Sequence, residues 1–364
     1  MSVTLPDAPM PRKEMPSVKL DEAEFRKRFL SQYIDPAFEP LQRELGQVVG
    51  AAWDAYVNSR KAPKTRKAGP GYANPDYELS LDWLAAKDAI DQATQEHQST
   101  ARNSRVLMIN AASRSEHTCP GETSKTYRLA KISEAVLEEA DIEVEFLDLS
   151  RLSSEYGRNI QPCKTCFSTA APLCHYSCSC YPNYSLGQTQ DWMNEIYPMW
   201  VKADGIMIVS PVNWYQVSSP LKLLMDRMVC ADGGNPDPTS TEGKENVPLA
   251  KEIELKGWEY PQHLAGRLFS VVVHGDVEGA ENVQRSISDW LSFMGLEVAG
   301  NRATLDRYIG YWQPYATSHE ALDRDLAIQG EVRQAAQSLV EAVQAKRAGR
   351  WTSPASELTR PRRK

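Results

Sequence analysis

The run Gly205-Ile206-Met207-Ile208-Val209 is short, apolar throughout and rich in β-branched residues, and it constrains this chain more than any other segment. A strand with no polar face must be covered on both sides, which places it inside a parallel sheet layered between helices. Pro211 ends the run. Pro220 sits where a first helical turn tolerates proline, and Leu221, Leu224, Met225 and Met228 recur behind it at helical spacing. Asn213, Trp214 and Tyr215 therefore fall at the carboxyl end of a strand, where open α/β sheets bind their ligands.

The same alternation begins at Arg105. The patterning predicts strands at Val106 to Asn110, Ile142 to Leu149, Gly205 to Val209, Leu268 to Val273 and Leu296 to Ala303. Helices are predicted at Ser124 to Ala140, Thr189 to Ala203, Pro220 to Val229, Ala280 to Met294 and His319 to Ala348. Five strands in that rhythm predict a flavodoxin-like, doubly wound α/β sheet in the order 2-1-3-4-5. Residues 1–100 read as a helical extension: a proline-rich leader, a helical stretch from Asp21 to Arg60 broken at Pro36 and Pro40, a basic linker from Lys61 to Asn74, and a helix from Leu79 to Gln98. The α/β domain is expected over 101–348 and a flexible basic tail over 349–364. The segment from Asp232 to Arg267 is long for a connection, and its Gly, Pro and charge content predicts a functional lid or mobile insertion.

A formal net charge of −7 argues against nucleic acid as the main partner, because phosphate binding needs a basic face. The terminal RPRRK is the exception and reads as a solvated terminus. No run of about 18 apolar residues appears, and Pro, Lys and Asp stand where a signal peptide would need an apolar stretch, so a soluble cytoplasmic protein with no membrane partner is expected.

The first strand runs into AASRSEHTCPGETSKTYRLA, a loop dense in hydroxyl residues that opens a helix. A phosphate there would meet backbone N–H groups, the helix dipole and hydroxyl donors together. Ser113, Ser115, Ser124 and Thr126 are the expected donors, with Arg114 or Lys125 supplying charge; a serine N-cap in an ordinary βα loop gives the same pattern. No GxGxxG is present, and the loop suits a terminal monophosphate better than a pyrophosphate. The fold brings this loop beside two others. Pro211, Val212, Asn213, Trp214 and Tyr215 can flank a flat isoalloxazine ring, with a backbone donor at Trp214 or Tyr215 tuning it. His274, Gly275 and Asp276 follow the fourth strand, where the glycine admits close approach and the side chains reach polar ring atoms, although a histidine in such a loop also serves as a cap or surface residue.

On these residues the sequence resembles the NADPH-dependent FMN reductase family over about Arg105 to Ala303. Ser113-Arg114 and Ser124-Lys125-Thr126 match the family's first loop in kind and order, and Pro211, Trp214, Leu221, Lys222, Asp226 and Arg227 match its second. Asn213, Tyr215 and His274 depart from the residues usual there. The resemblance implies FMN as cofactor, hydride delivery from NAD(P)H to a small electron acceptor (a quinone, an azo or nitro compound, or a free flavin) in a ping-pong cycle, and homodimers or homotetramers whose interfaces border the flavin.

Five of the seven cysteines, Cys163, Cys166, Cys174, Cys178 and Cys180, crowd into one loop after the second strand. Structural disulfides do not suit a reducing compartment. Three readings stay open: zinc or an iron–sulfur cluster, a thiol or transient disulfide role, and plain packing. His175 could add a ligand or be a surface histidine. Iron–sulfur flavoproteins, relatives of the reductases, carry a cluster in this region, which makes an FMN-plus-cluster electron carrier the alternative function. Four aromatics among Tyr308, Ile309, Gly310, Tyr311, Trp312, Gln313, Pro314 and Tyr315 could roof a flavin, line a substrate site, or pack the last helix onto the sheet.

Overall fold

The computed structural model describes residues 10–60, 62, 64–228, 233–258, 262–276, 278–309 and 313–354. The tail from 355 and residues 310–312 of the aromatic segment lie outside them. The extension begins with α1 (Glu22–Leu30), capped by the Asp21 carboxylate accepting from the Glu24 amide, and α2 (Gln42–Val57). Pro36 and Pro40 fall in a 3-10 turn, Pro36–Leu41, that separates the two, as expected of proline. The predicted linker instead holds β1 (Thr65–Lys67), which pairs antiparallel with β2 (Glu78–Ser80). Its exposed Thr-Arg-Lys carries no alternation from which a strand could be read. Helix α3 (Leu81–Gln98) follows, with the Ser80 hydroxyl as its N-cap acceptor.

The central sheet contains β3 (Arg105–Asn110), β4 (Glu143–Asp148), β5 (Gly205–Pro211), β6 (Leu268–Gly275), β7 (Glu297–Val298) and β8 (Thr304–Tyr308), all paired in parallel. The order is β4-β3-β5-β6-β7, with β8 also on β6. The fifth strand is thus two pieces. Glu297–Val298 pairs with the start of β6 and Thr304–Tyr308 with its end, and Gly300, at φ +130°, turns the chain between them. The strand expected over Leu296 to Ala303 extends to Tyr308, an extension the sequence does not display because TLDRY is a half-exposed edge segment without apolar alternation.

Helices cover both faces. On one side lie α3, α6 (Met193–Lys202), α7 (Ser219–Arg227) and α9 (Ala280–Phe293), joined through Ile90, Trp200, Leu224 and Ile287 to Ile206 and Ile208 of β5. On the other lie α4 (Lys125–Glu139) and α11 (Leu326–Arg347), with Leu129, Leu137 and Leu339 against Met207 and Val209. The short α5 (Arg151–Ser154) follows β4, and α8 (Val247–Lys256) lies in the long connection. The expected last helix is divided at Asp325, whose carboxylate caps α11 at the Ile328 amide, leaving α10 (Ser318–Arg324) as a separate short helix.

The connection between α7 and β6 is docked, not extended. Its Ala250 and Val247 pack on Ala170, Leu173 and Cys166 of the cysteine loop, and the Tyr176 amide donates to the Asn235 carbonyl at 2.9 Å. Among the described residues no helix is long and apolar enough to cross a membrane.

Candidate functional site

The carboxyl ends of β3, β5 and β6 deliver three loops to one cleft of about 270 Å³. Ser113, Arg114, Ser124, Lys125, Thr126, Pro211, Val212, Asn213, His274, Gly275 and Asp276 all line it. Ser115, Trp214 and Tyr215 do not.

The first loop is organised by the start of α4. Ser124 is its N-cap, accepting from the Tyr127 amide at 3.0 Å, so the first-turn amides point into the cleft with the positive end of the helix dipole. Lys125 occupies the first helical position. Burial, and then the neighbouring Arg114 charge, hold its ammonium below the ordinary lysine range against an opposing pull from Asp276. Among the described residues neither Arg114 nor Lys125 comes within ion-pair distance of a carboxylate. Two like charges at a helix N-terminus repel until an anion lies between them. Ser115 is instead consumed by its own turn, its amide donating to Thr118 Oγ1 at 3.1 Å.

His274 joins the loops. It stands in register with Pro211, its carbonyl accepts from the Val212 amide at 2.9 Å, and its Nε2 lies 2.8 Å from Thr126 Oγ1. Burial, then Lys125, push its pKa down to about 3, so the ring is neutral near pH 7. The cap-or-surface reading of His274 therefore does not describe a side chain that is 5% exposed. A second tie runs from Ser218 Oγ, the N-cap of α7, to the Ala111 carbonyl at 2.6 Å, fixing the β5 loop to the end of β3.

Trp214 and Tyr215 form the two-residue tip of a tight turn in which Asn213 and Gln216 exchange backbone hydrogen bonds of 2.9 and 3.0 Å. Both have positive φ, +49° and +64°. Non-glycine residues in that region cost on the order of 1–3 kcal/mol each, and such strain collects at ligand sites. Trp214 is 90% exposed.

Ala112, Glu122, Tyr315, Ser318 and His319 complete the lining. Tyr315 belongs to the aromatic segment noted in the sequence, and it bonds Asp276, whose charge raises the phenol pKa. His319 carried no sequence signal, because α10 folds back over α4 and the histidine meets Arg128 across 191 positions of chain. Arg128 Nη1 donates to its Nδ1 at 2.9 Å, so the neutral ring carries its proton on Nε2. That Nε2 is buried without a hydrogen-bond partner, 3.7 Å from the Glu122 carboxylate. An orphaned donor beside two unpaired cations suits a phosphate.

The cysteine loop lies apart from this lining. Among the described residues no three His, Cys, Asp or Glu side chains gather as a metal-holding group, so Cys163, Cys166, Cys174, Cys178 and Cys180 do not form a ready cluster site. His175 is neither a ligand nor a surface residue: it is fully buried, with Nδ1 on Ser179 and Nε2 2.9 Å from Thr241 Oγ1. Burial drives its pKa down to about 3. Cys166 and Cys180 lie with sulfurs 3.4 Å apart, and Lys244 Nζ donates to both, at 2.8 and 2.6 Å. Arg227, matched above to a family motif, points away from the cleft and pairs with Asp191 while donating to the Gln161 carbonyl at 2.7 Å.

A family model described as NADPH-dependent FMN reductase matches residues 104–308. None of the curated proteins matches the sequence. Similar solved structures include RosB with a bound 8-demethyl-8-formylriboflavin-5'-phosphate intermediate, at 13% identity and TM-score 0.45, covering 68% of this chain and 82% of that one. A flavone reductase aligns at 15% identity and TM-score 0.38 over 68% and 66% of the two chains. The azoreductase AzrA aligns at 12% identity and TM-score 0.38 over 65% and 100%.

Proposed function

This chain belongs to the NADPH-dependent FMN reductase family, and from that membership we propose that it binds FMN in the three-loop cleft and passes reducing equivalents from NAD(P)H to a small electron acceptor, a quinone, azo or nitro compound or free flavin, by a ping-pong cycle. The observation that carries the reading is the cleft's anion end: Lys125 at the first turn of α4 and Arg114 in the loop before it, both without an ion-pair partner among the described residues, with the buried His319 Nε2 lining the same cleft. Ser113, Ser124 and Thr126 add hydroxyls to the same end, while Ser115 serves by shaping the turn. Pro211, Val212 and Asn213 form the wall along which the ring would lie, and His274, Gly275 and Asp276 close its polar edge.

When bound, FMN itself accepts and donates the hydride. The protein's share is position and electrostatics. His274, neutral and held by Thr126, keeps a third positive charge out of the site. Trp214 and Tyr215, at the strained turn, offer a flat apolar surface over the cleft mouth, and Tyr315 on Asp276 bounds the other side. We further propose a homodimer or homotetramer, in which the exposed Trp214 would be covered, and a cytoplasmic location. The chain divides in this reading into an extension over 1–100, an FMN domain over 101–348 and a tail over 349–364.

Ser124→Asp tests the assignment without breaking the helix, because aspartate is as good an N-cap as serine. It places a carboxylate against the phosphate. The expected result is a native circular dichroism spectrum and thermal midpoint with FMN affinity, read by quenching of flavin fluorescence, weakened at least about a hundredfold. Unchanged FMN affinity would remove this loop from the site.

A further inference from the structure

The cysteine loop and the long connection meet at one chemical arrangement that the flavin site does not use. Cys166 and Cys180 bring their sulfurs to 3.4 Å, and Lys244, from the connection, places its ammonium 2.8 Å from the first and 2.6 Å from the second. An ammonium occupies the position between the two sulfurs that a metal would need. Both cysteines are half-buried, so a small molecule can reach them. We propose that Cys166, Cys180 and Lys244 form a thiol–disulfide exchange site that accepts small-molecule disulfides.

Three features support it. The sulfurs need to close by only about 1.4 Å to reach the disulfide bond length of about 2.05 Å. The Cys166 thiol is pulled down to about 6 by the hydrogen bond with Cys180 and then by Lys244, against the opposing effects of burial and Cys178. Reactive cysteines sit in such electropositive, partly open surroundings, whereas inert ones are buried among apolar groups. The charged or titratable groups facing the pair are Lys244, Cys178 and, across Lys244, the neutral His175.

In the forward step the Cys166 thiolate attacks one sulfur of the external disulfide, forming a mixed disulfide and releasing one thiolate, which takes up a proton. Cys180 then loses its proton and attacks Cys166 Sγ, forming the Cys166–Cys180 bond and expelling the second thiolate, which takes up that proton. One disulfide is reduced to two thiols as two cysteines become one cystine. Lys244 stabilises the Cys166 thiolate before the first step and has no anionic sulfur beside it after the second. Because Cys166 packs against the cluster of Ala170, Leu173 and Ala250, oxidation also alters the seam between the cysteine loop and the connection.

The test uses the full chain, reduced and then equilibrated with graded ratios of reduced to oxidised glutathione, alkylated and mapped by peptide mass. The expected product is a Cys166–Cys180 cross-link that reverts with dithiothreitol. Cys180→Ser should hold a single glutathione on Cys166, because the resolving thiol is gone. Lys244→Met should slow alkylation of Cys166 at about pH 5.5 by about an order of magnitude, and Lys244→Arg should restore it, an electrostatic signature that loss of packing would not give. Cross-linking to Cys163, Cys174 or Cys178 instead, or no cross-link under oxidising ratios with all five thiols still alkylated, overturns the proposal. So does stoichiometric zinc or iron that must be chelated before Cys166 reacts.

Discussion

Protonating His274 would bury a third positive charge next to Lys125 and Arg114, and the protein resists this by holding the ring's pKa at about 3. The unfolded chain has no such constraint, and its histidine titrates near 6.5. Between those values the unfolded state binds the extra proton, so stability rises with pH there. The contribution is complete above about 6.5 and is lost as pH falls toward 3. His175, also held at about 3, adds a second contribution of the same sign over the same window. His274→Gln keeps a partner for Thr126 and removes one of these titrations, leaving those of His175 and of His97 and His263, which burial holds at about 4. Urea midpoints measured from pH 7 to pH 4 should fall less steeply in the variant, by up to about 1.4 kcal/mol per pH unit. Parallel slopes would show that His274 is not held neutral by the fold.

At the scale of elements, the turn after β5 depends on a residue outside it. Gly279, at φ +109°, precedes α9, and a Cβ added there would lie 3.2 Å from Tyr215 Cα and 3.3 Å from its ring. Gly279→Ala therefore combines backbone strain with a push on the turn that carries Trp214 and Tyr215. It should lower stability by about 1–3 kcal/mol and weaken FMN binding, while the same change at Gly46, which meets nothing within 4 Å, should do neither. Thermal midpoints and FMN titration of the two variants check this. The turn also shows what a sequence can display. The apolar run of β5, Pro211 and the helical spacing behind Pro220 are local signals, and so is the hydroxyl-rich loop before α4. The left-handed pair at Trp214 and Tyr215 is not, since neither residue advertises positive φ. His319 and Ser318 reach the cleft only through the packing of α10, and β8 is an edge strand written in charged and polar residues. Lys244 meets Cys166 across 78 positions, and no spacing rule connects them.

Across the whole molecule, segments remote in sequence are bolted together by a few buried polar contacts. Arg227, 1% exposed, pairs with Asp191, donates to the Gln161 carbonyl and lies over the Tyr181 ring at 4.6 Å, so α7, the approach to α6 and the cysteine loop share one guanidinium. Arg227→Met leaves Asp191 buried and unpaired and should cost about 3–5 kcal/mol, read as a lowered urea midpoint, whereas replacing both residues by apolar ones should recover much of that loss. Helix α3 is joined to the rest in another way. Ile90 and Ala93 belong to the core on the α6 face, and the Trp83 indole donates to the Ser177 carbonyl at 2.8 Å. That carbonyl lies 94 positions downstream of the indole. A ribosome adding about 5–20 residues per second finishes α3 roughly 5–20 s before α6 exists to receive it. During that interval the face of α3 that carries Ile90 and Ala93 waits for its cover, so the order of synthesis sets a period in which holdase chaperones would find their target.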